Sequence, residues 1–325
     1  MHALERLPIL LLYPHSRCNC RCVMCDIWKV DTVEELSAEA LERHAADIVA
    51  LGVEQVVFSG GEPLMHSDLF RLCDRLHALS IRITLLSTGL LLEKHARRIV
   101  EGVDAVIVSL DGPPEVHDGI RRVRRAFELL ARGVRALRSH RPGFPVAARC
   151  TVQKGNACRL RDTVAAAREI GLDSISFLAA DLTSDAFNRK DPWSSERQSE
   201  VSLDVAGVQA LETEIEALID DEAGAPTRYV LESPEKLRRI VLHFRAHLGL
   251  AEPVAPRCNA PWVSAVVESD GTVRPCFFHA PLGRLGTQSL REVLNGPRAI
   301  AFRQSLDVAN NPICRRCVCS LHWKG

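Results

Sequence analysis

The chain has 325 residues, 46% of them hydrophobic, with 41 basic against 41 acidic side chains. That length suits one large α/β domain with an appendage, and the apolar content excludes a disordered chain. The balanced charge gives no net field for nucleic acid or anionic lipid. No stretch reaches the ~20 apolar residues of a membrane span, and the apolar run 7–12, broken by Tyr13-Pro14-His15, lacks the cleavage site of a signal peptide. The expected location is therefore the cytoplasm, where thiols stay reduced, and twelve cysteines point to metal or redox chemistry before disulfides.

In chain order, apolar runs at 9–13, 55–58, 81–86, 105–110, 146–152 and 174–178 read as strands, with amphipathic helical patterns between them. After the second strand, Leu69, Leu72, Leu76 and Leu79 make a helical stripe with Cys73 at its edge as a small core residue. After the fourth, Val123, Phe127, Leu130, Val134 and Leu137 make another, and the cluster Arg121, Arg122, Arg124 and Arg125 reads mostly as a solvated face. Such alternation predicts an α/β fold: a parallel sheet closed only in part, a (β/α)6 TIM-like barrel over residues 1–198 with its ligand site at the C-terminal strand ends. Residues 181–197 read as a connecting loop. A helical region spans 199–256, with helices near 199–222 and 234–248, and ends in the linker 251–256. Residues 257–325 read as a small extension: a β-hairpin (263–268 and 272–274) about an Asp270-Gly271 turn, then a helical stretch 289–305.

The cysteines gather at the two ends. Cys18, Cys22 and Cys25 sit on one loop after the first strand, in the spacing Cys-x3-Cys-x2-Cys, with Cys20 between them. A zinc ribbon would want two Cys-x2-Cys pairs and a thioredoxin-like site one such pair opening a helix. An iron–sulfur cubane held by three thiolates keeps its fourth iron free. Cys20 is an alternative ligand.

This loop, followed by Ser59-Gly60-Gly61-Glu62-Pro63 at the end of the second strand, resembles the radical S-adenosylmethionine (SAM) enzymes. The resemblance covers residues 8–180. It implies a [4Fe–4S] cluster on Cys18, Cys22 and Cys25 that reductively cleaves SAM to a 5′-deoxyadenosyl radical, which then takes a hydrogen atom from substrate. Gly60 and Gly61 would admit the ligand to the backbone, and Glu62, before Pro63, would receive the methionine ammonium. Ser87, Ser109 and Asp111, at the ends of strands three and four, would approach the sulfonium and ribose. Met24 takes the place of the family's frequent adenine-packing aromatic residue, and Thr151 and Asn156 are further candidates for adenine.

Cys258, Cys276, Cys314 and Cys317, with Cys319 as an alternative fourth ligand, supply four thiols from the hairpin and the C-terminal loop. Zinc remains open on spacing alone. After such a barrel, the layout resembles a shortened SPASM ("twitch") extension and implies one auxiliary [4Fe–4S] cluster, suited to receiving an electron in an oxidoreductase or lyase-type reaction. Before Cys18 there is no room for a peptide-binding winged helix, which shifts the expected substrate toward a small biosynthetic intermediate (sugar, cyclitol or nucleoside-like). A short precursor peptide, crosslinked or epimerised, is the alternative. The resemblance also implies an external one-electron reductant such as flavodoxin or ferredoxin. Arg149 and His279 are candidate substrate-facing residues, and His15 and Trp28 flank the first loop.

Overall fold

The computed structural model describes residues 3–189, 191–286 and 288–324. Its first half repeats one unit, strand then helix. The strands are β1 (Ile9–Leu12), β2 (Gln55–Phe58), β3 (Arg82–Ser87), β4 (Ala105–Ser109), β5 (Val146–Val152) and β6 (Ile175–Ala179), each within one residue at either end of the sequence expectation. The helices α1 (Ala38–Glu42) and α2 (Ala45–Ala50) precede β2, and α3 (Leu69–Ala78) and α4 (Leu92–Gly102) follow β2 and β3. After β4 the single expected helix is two, α5 (Pro114–Arg121) and α6 (Ala126–His140). Arg122 and Arg125 adopt left-handed backbone between them, which puts Val123 in a turn and leaves Phe127, Leu130, Val134 and Leu137 as the buried stripe of α6. The helix α7 (Leu160–Glu169) joins β5 to β6.

All six strands are parallel and neighbours in order. Their outward residues, among them Val56, Phe58, Ile83, Leu85, Val106 and Val108, are buried against the helices together with Leu72, Cys73 and Leu76 of α3. Each such Leu contributes roughly 1.5–3 kcal/mol of burial. The alternate residues Leu11, Val57, Leu86, Ile107 and Ala147 face inward onto a cavity.

After β6 come a short helix α8 (Ser195–Ser199), then α9 (Val205–Ala223) and α10 (Pro234–His247). The helix expected from 199 begins later because Asp204 caps it, accepting from the amide of Gly207. Ser233 caps α10 in the same way, ahead of Pro234. The extension contains α11 (Ala260–Val263), β7 (Ser264–Val267), β8 (Thr272–Arg274), β9 (Gly283–Arg284), α12 (Leu290–Asn295), α13 (Pro297–Ser305) and α14 (Pro312–Arg315). The stretch 289–305, expected as one helix, breaks at Gly296-Pro297, where extended Gly296 precedes a proline that lacks the N–H needed to continue the ladder.

The hairpin joins the barrel sheet. β7 lies parallel to β1 on the side opposite β2, with Ile9 opposite Ser264 and Leu12 opposite Val267, and β8 and β9 follow antiparallel. The nine-stranded order is β6-β5-β4-β3-β2-β1-β7-β8-β9. The two cysteine groups therefore flank one shared strand, β1.

Candidate functional site

The loop after β1 is fixed from several sides. The amides of Arg21 and Val23 donate to the carbonyls of Arg121 and Ile120 at the end of α5, at 3.1 and 3.0 Å. The Cys25 carbonyl accepts from the Trp28 indole at 2.8 Å, and the amide of Ile27 reaches the Cys25 sulfur at 3.4 Å. From the strand-two side, the amides of Gly61 and Glu62 donate to the carbonyls of His15 and Arg17. A Cβ on Gly61 would overlap the Arg17 carbonyl, and one on Gly60, at φ +95°, would come within 2.6 Å of Tyr13. Both glycines are thus required by the approach of the two loops as well as by any ligand.

Glu62 is fully buried. Its carboxylate accepts from the Leu64 amide, the Ser87 hydroxyl at 2.9 Å and the Thr88 amide at 2.6 Å. It forms no ion pair among the described residues, and burial, opposed by the Thr88 and Leu64 amides and both hydroxyls, pushes its carboxyl upward. A buried carboxylate with donors but no cation fits an incoming ammonium. Ser87 is spent on orienting Glu62. The hydroxyl of Thr88, next to Ser87 at the end of β3, reaches Asn19 on the cysteine loop at 3.0 Å.

Arg121 departs from the solvated-face expectation. It is 6% exposed, pairs with Asp111 at 2.7 Å and donates to the Cys22 sulfur at 3.4 Å. The thiol of Cys20 and then the Arg121 guanidinium hold Cys22 down at about 6 against its burial, whereas burial drives Cys25 up to about 12. Cys20 is buried between Cys18 and Cys22, and its thiol is pushed upward by hydrogen bonding to both sulfurs. Three thiols on one loop, one facing a guanidinium, suit the anionic sulfur set of a cubane. Asp111, expected at ribose, stands just past the end of β4 with its carboxylate already engaged. It is 0% exposed, and its oxygens are taken by Arg121 and by the Thr151 amide at 3.0 Å, so it positions Arg121. Asn156 is consumed likewise, donating to the Asp111 carbonyl at 2.9 Å. Ser109 stays half-buried on the inward side of β4, and Met24 is buried within the loop.

The segment after β6, read as a plain connector, straps the loop from above. The Trp193 indole donates to the Asp26 carboxylate at 2.7 Å, Arg197 donates to the Val23 carbonyl, and the guanidinium of Arg189 stacks on the Trp193 ring at 3.8 Å. Phe187, in the same segment, packs edge-on against Phe278 beside Cys276.

The C-terminal cysteines converge from segments far apart in sequence. Asn259 ties the strand-seven side to the chain end: its amide donates to the Leu321 carbonyl, and its side chain exchanges two hydrogen bonds with Trp323 at 2.8 and 2.9 Å. Asn311 caps α14 and places Cys314, while Arg239 of α10 donates to the carbonyls of Cys317 and Val318. His279 meets the Cys314 sulfur at 3.4 Å. Cys258, Cys276, Cys314, Cys317 and Cys319 all border one cavity of about 620 Å³ that runs into the barrel. Burial raises Cys314 and Cys319 to about 11. Among the described residues, no three or more of Cys, His, Asp and Glu converge where one metal ion would sit. The donor set is thiols only, which fits a cubane's ligands. Cys317 and Cys319 are adjacent, the Cys317 thiol lying 3.2 Å from the Cys319 carbonyl, so both stay available as the fourth ligand. Tyr13, at the end of β1, stacks on Phe277 with centroids 6.0 Å apart and so lies between the two cysteine groups.

Residues 12–166 match the family model of the radical SAM superfamily, and residues 258–318 match SPASM, an iron–sulfur cluster-binding domain. Together these domains imply SAM and [4Fe–4S] clusters. The chain is 30% identical over 288 residues to a GTP 3′,8-cyclase 1 of Pseudomonas aeruginosa, covering 85% of this chain and 81% of that one. It is 32% identical over 170 residues to a pre-heme d1 synthase of Dinoroseobacter shibae, a match that covers 51% of this chain and only 42% of the relative. In structure it is similar to anSMEcpe with bound AdoMet and Cp18Cys peptide, with TM-score 0.67 at 20% identity, covering 95% and 87% of the two chains. Among the described residues, no helix is long and apolar enough to cross a membrane.

Proposed function

The chain belongs to the radical SAM superfamily and carries a SPASM iron–sulfur domain, and from that premise we propose that it is an oxidoreductase or lyase-type enzyme acting on a small biosynthetic intermediate. The observation that carries the reading is the joint between the two loops: a buried, cation-free Glu62 set backbone-to-backbone against the loop of Cys18, Cys22 and Cys25. When bound and reduced, the cluster on these thiols supplies the electron that cleaves SAM to the 5′-deoxyadenosyl radical. The chain's own residues hold and orient. Glu62 takes the methionine ammonium, and Gly60, Gly61 and Pro63 shape the backbone around it. Met24 packs on adenine and Ser109 meets ribose. Ser87 and Thr88 fix the Glu62 carboxylate, and Arg121, held by Asp111, steadies the Cys22 thiolate.

Cys258, Cys276, Cys314 and Cys317 would hold one auxiliary [4Fe–4S] cluster, and they border the same cavity that Arg149 and His279 line. A volume of about 620 Å³ falls within the range of small-molecule sites. The two sequence relatives are named for small-molecule chemistry, pre-heme d1 synthesis and GTP cyclisation. Apolar residues such as Leu11, Val57, Leu86 and Ile107 on the inner wall support a substrate with an apolar portion. The enzyme works in the cytoplasm with an external one-electron reductant such as flavodoxin or ferredoxin, and without nucleic acid or membrane. Anaerobic reconstitution followed by reduction with SAM tests the reading. About eight irons per chain and 5′-deoxyadenosine by mass spectrometry are expected, and an iron-loaded protein that makes none ends it. Turnover only with a precursor peptide would turn the reading to a peptide maturase.

A further inference from the structure

We propose that the cavity between the barrel strands and the C-terminal cysteines binds its ligand through a carboxylate held by Arg149. The proposal rests on the preceding reading that this cavity takes the substrate, and it names the substrate's chemistry: one anionic carboxylate on an apolar body.

Arg149 lies in the middle of β5 on the inward-facing parity. Its strand neighbours are Ser109 of β4 and Ser176 of β6. An arginine inside a barrel is costly unless its charge is met. Glu232 and Cys319 lie near enough to feel its charge, but no carboxylate among the described residues pairs with its guanidinium. Its Nε donates to the Ser176 hydroxyl at 3.3 Å, and Ser176 in turn donates to the Ala148 carbonyl at 3.3 Å, which fixes the plane of the guanidinium. Among the described residues its two terminal nitrogens make no hydrogen bond or ion pair, and the side chain is exposed toward the cavity.

The acids on the same wall hydrogen-bond to other groups, although the charge of Arg149 still acts on Glu232. Asp173 pairs with Arg138 at 2.7 Å and accepts from the Val146 amide at 2.8 Å. Glu232 accepts from the Phe177 amide at 2.9 Å. Arg239 spends its guanidinium on the carbonyls of Cys317 and Val318. Arg149 therefore offers a pre-oriented fork of two N–H groups, the geometry that matches a carboxylate bidentately. Around it the inward residues Leu11, Val57, Leu86 and Ile107 give an apolar body its contact surface, and would strand the hydroxyls of a bare polyol.

The test is calorimetric titration of the anaerobically reconstituted holoprotein with 2-naphthylacetate, its neutral isostere 2-naphthylacetamide, and 2-naphthyl phosphate. The carboxylate is expected to bind at least about tenfold tighter than the amide, the worth of a charge-assisted pair. Arg149→Gln should bring acid and amide to within about twofold of each other, and Arg149→Lys, which keeps charge without the fork, should fall between. Amide binding by Arg149→Gln shows that the variant still forms the cavity. Equal binding of acid and amide by the wild type, a preference that survives Arg149→Gln, binding of none of the probes, or tighter binding of the phosphate each overturns the proposal. Wild-type protein that prefers the acid but yields no 5′-deoxyadenosine sinks the function and leaves this site standing. The converse result sinks the site alone.

Discussion

The two cysteine groups solve one problem, presenting thiolates to a cluster, by opposite means. The first packs three thiols into eight residues of one loop, braced by the backbone of α5, by the glycine loop after β2 and by a buried guanidinium on Cys22. The second gathers its thiols from two segments, Cys276 and Cys314 being 38 positions apart, and holds them by side-chain pins, Asn259 to Trp323 and Arg239 to the Cys317 carbonyl, with no guanidinium bonded to a sulfur among the described residues. A local loop can be preorganised before metal arrives. A non-local one gains more of its order from the metal, because ligand binding then closes long loops.

The largest expected contrast is between Cys22→Ala and Cys276→Ala. Both should lower iron from about eight to about four per chain, measured by colorimetric iron and sulfide assays. Only the first should abolish 5′-deoxyadenosine formation, while the second keeps most of the uncoupled cleavage. Equal loss in both would erase the division of labour.

Next in size is Arg121→Gln. It strands Asp111 inside the protein, and breaking one side of a buried pair costs about 3–5 kcal/mol, read by denaturant unfolding. Arg121→Gln combined with Asp111→Asn should recover part of that loss. No recovery would show that Arg121 acts mainly on the cysteine loop.

Acid should act on both regions through buried histidines. Burial holds His117, behind the first loop, at about 3 and His243, on α10 near the second, at about 4. Both are neutral when folded, and the unfolded chain binds their protons first. Stability is therefore full above pH 6.5 and falls below it, by about 1.4 kcal/mol per histidine per pH unit, until the folded values are reached. Unfolding midpoints between pH 7.5 and 5 check the slope, and His117→Asn should reduce it.

A smaller effect, about 1–3 kcal/mol, is expected for Asn259→Ala, which removes the two side-chain bonds to Trp323. It should lower auxiliary iron while SAM-side iron stays in place. Glu62→Gln should weaken SAM binding by about tenfold in calorimetry and leave iron content alone.

How much of this was legible follows the same division. The cysteine loop and Gly60–Pro63 stand out in the sequence because residues at fixed short spacing leave a signature in one dimension. The strands were readable because apolar runs of four to seven residues fill a sheet buried by helices. Arg121 was not, since nothing in a run of four arginines marks the one that turns inward at the end of α5. Nor was the strap: Trp193 meets Asp26 across 167 positions, and no local pattern encodes that contact. Asp111 sat at the expected strand end, yet burial gave its carboxylate to a neighbour. The pairing of β7 with β1 was invisible because a strand of four residues does not say which strand it will join.

That pairing makes the C-terminal segment part of the vessel's wall. Trimming the chain before residue 257 would uncover the backbone donors and acceptors of Ile9–Leu12 along a flat apolar border, an invitation to intermolecular strand addition and aggregation. The iron–sulfur domain cannot be shed or swapped without rebuilding the sheet that it completes.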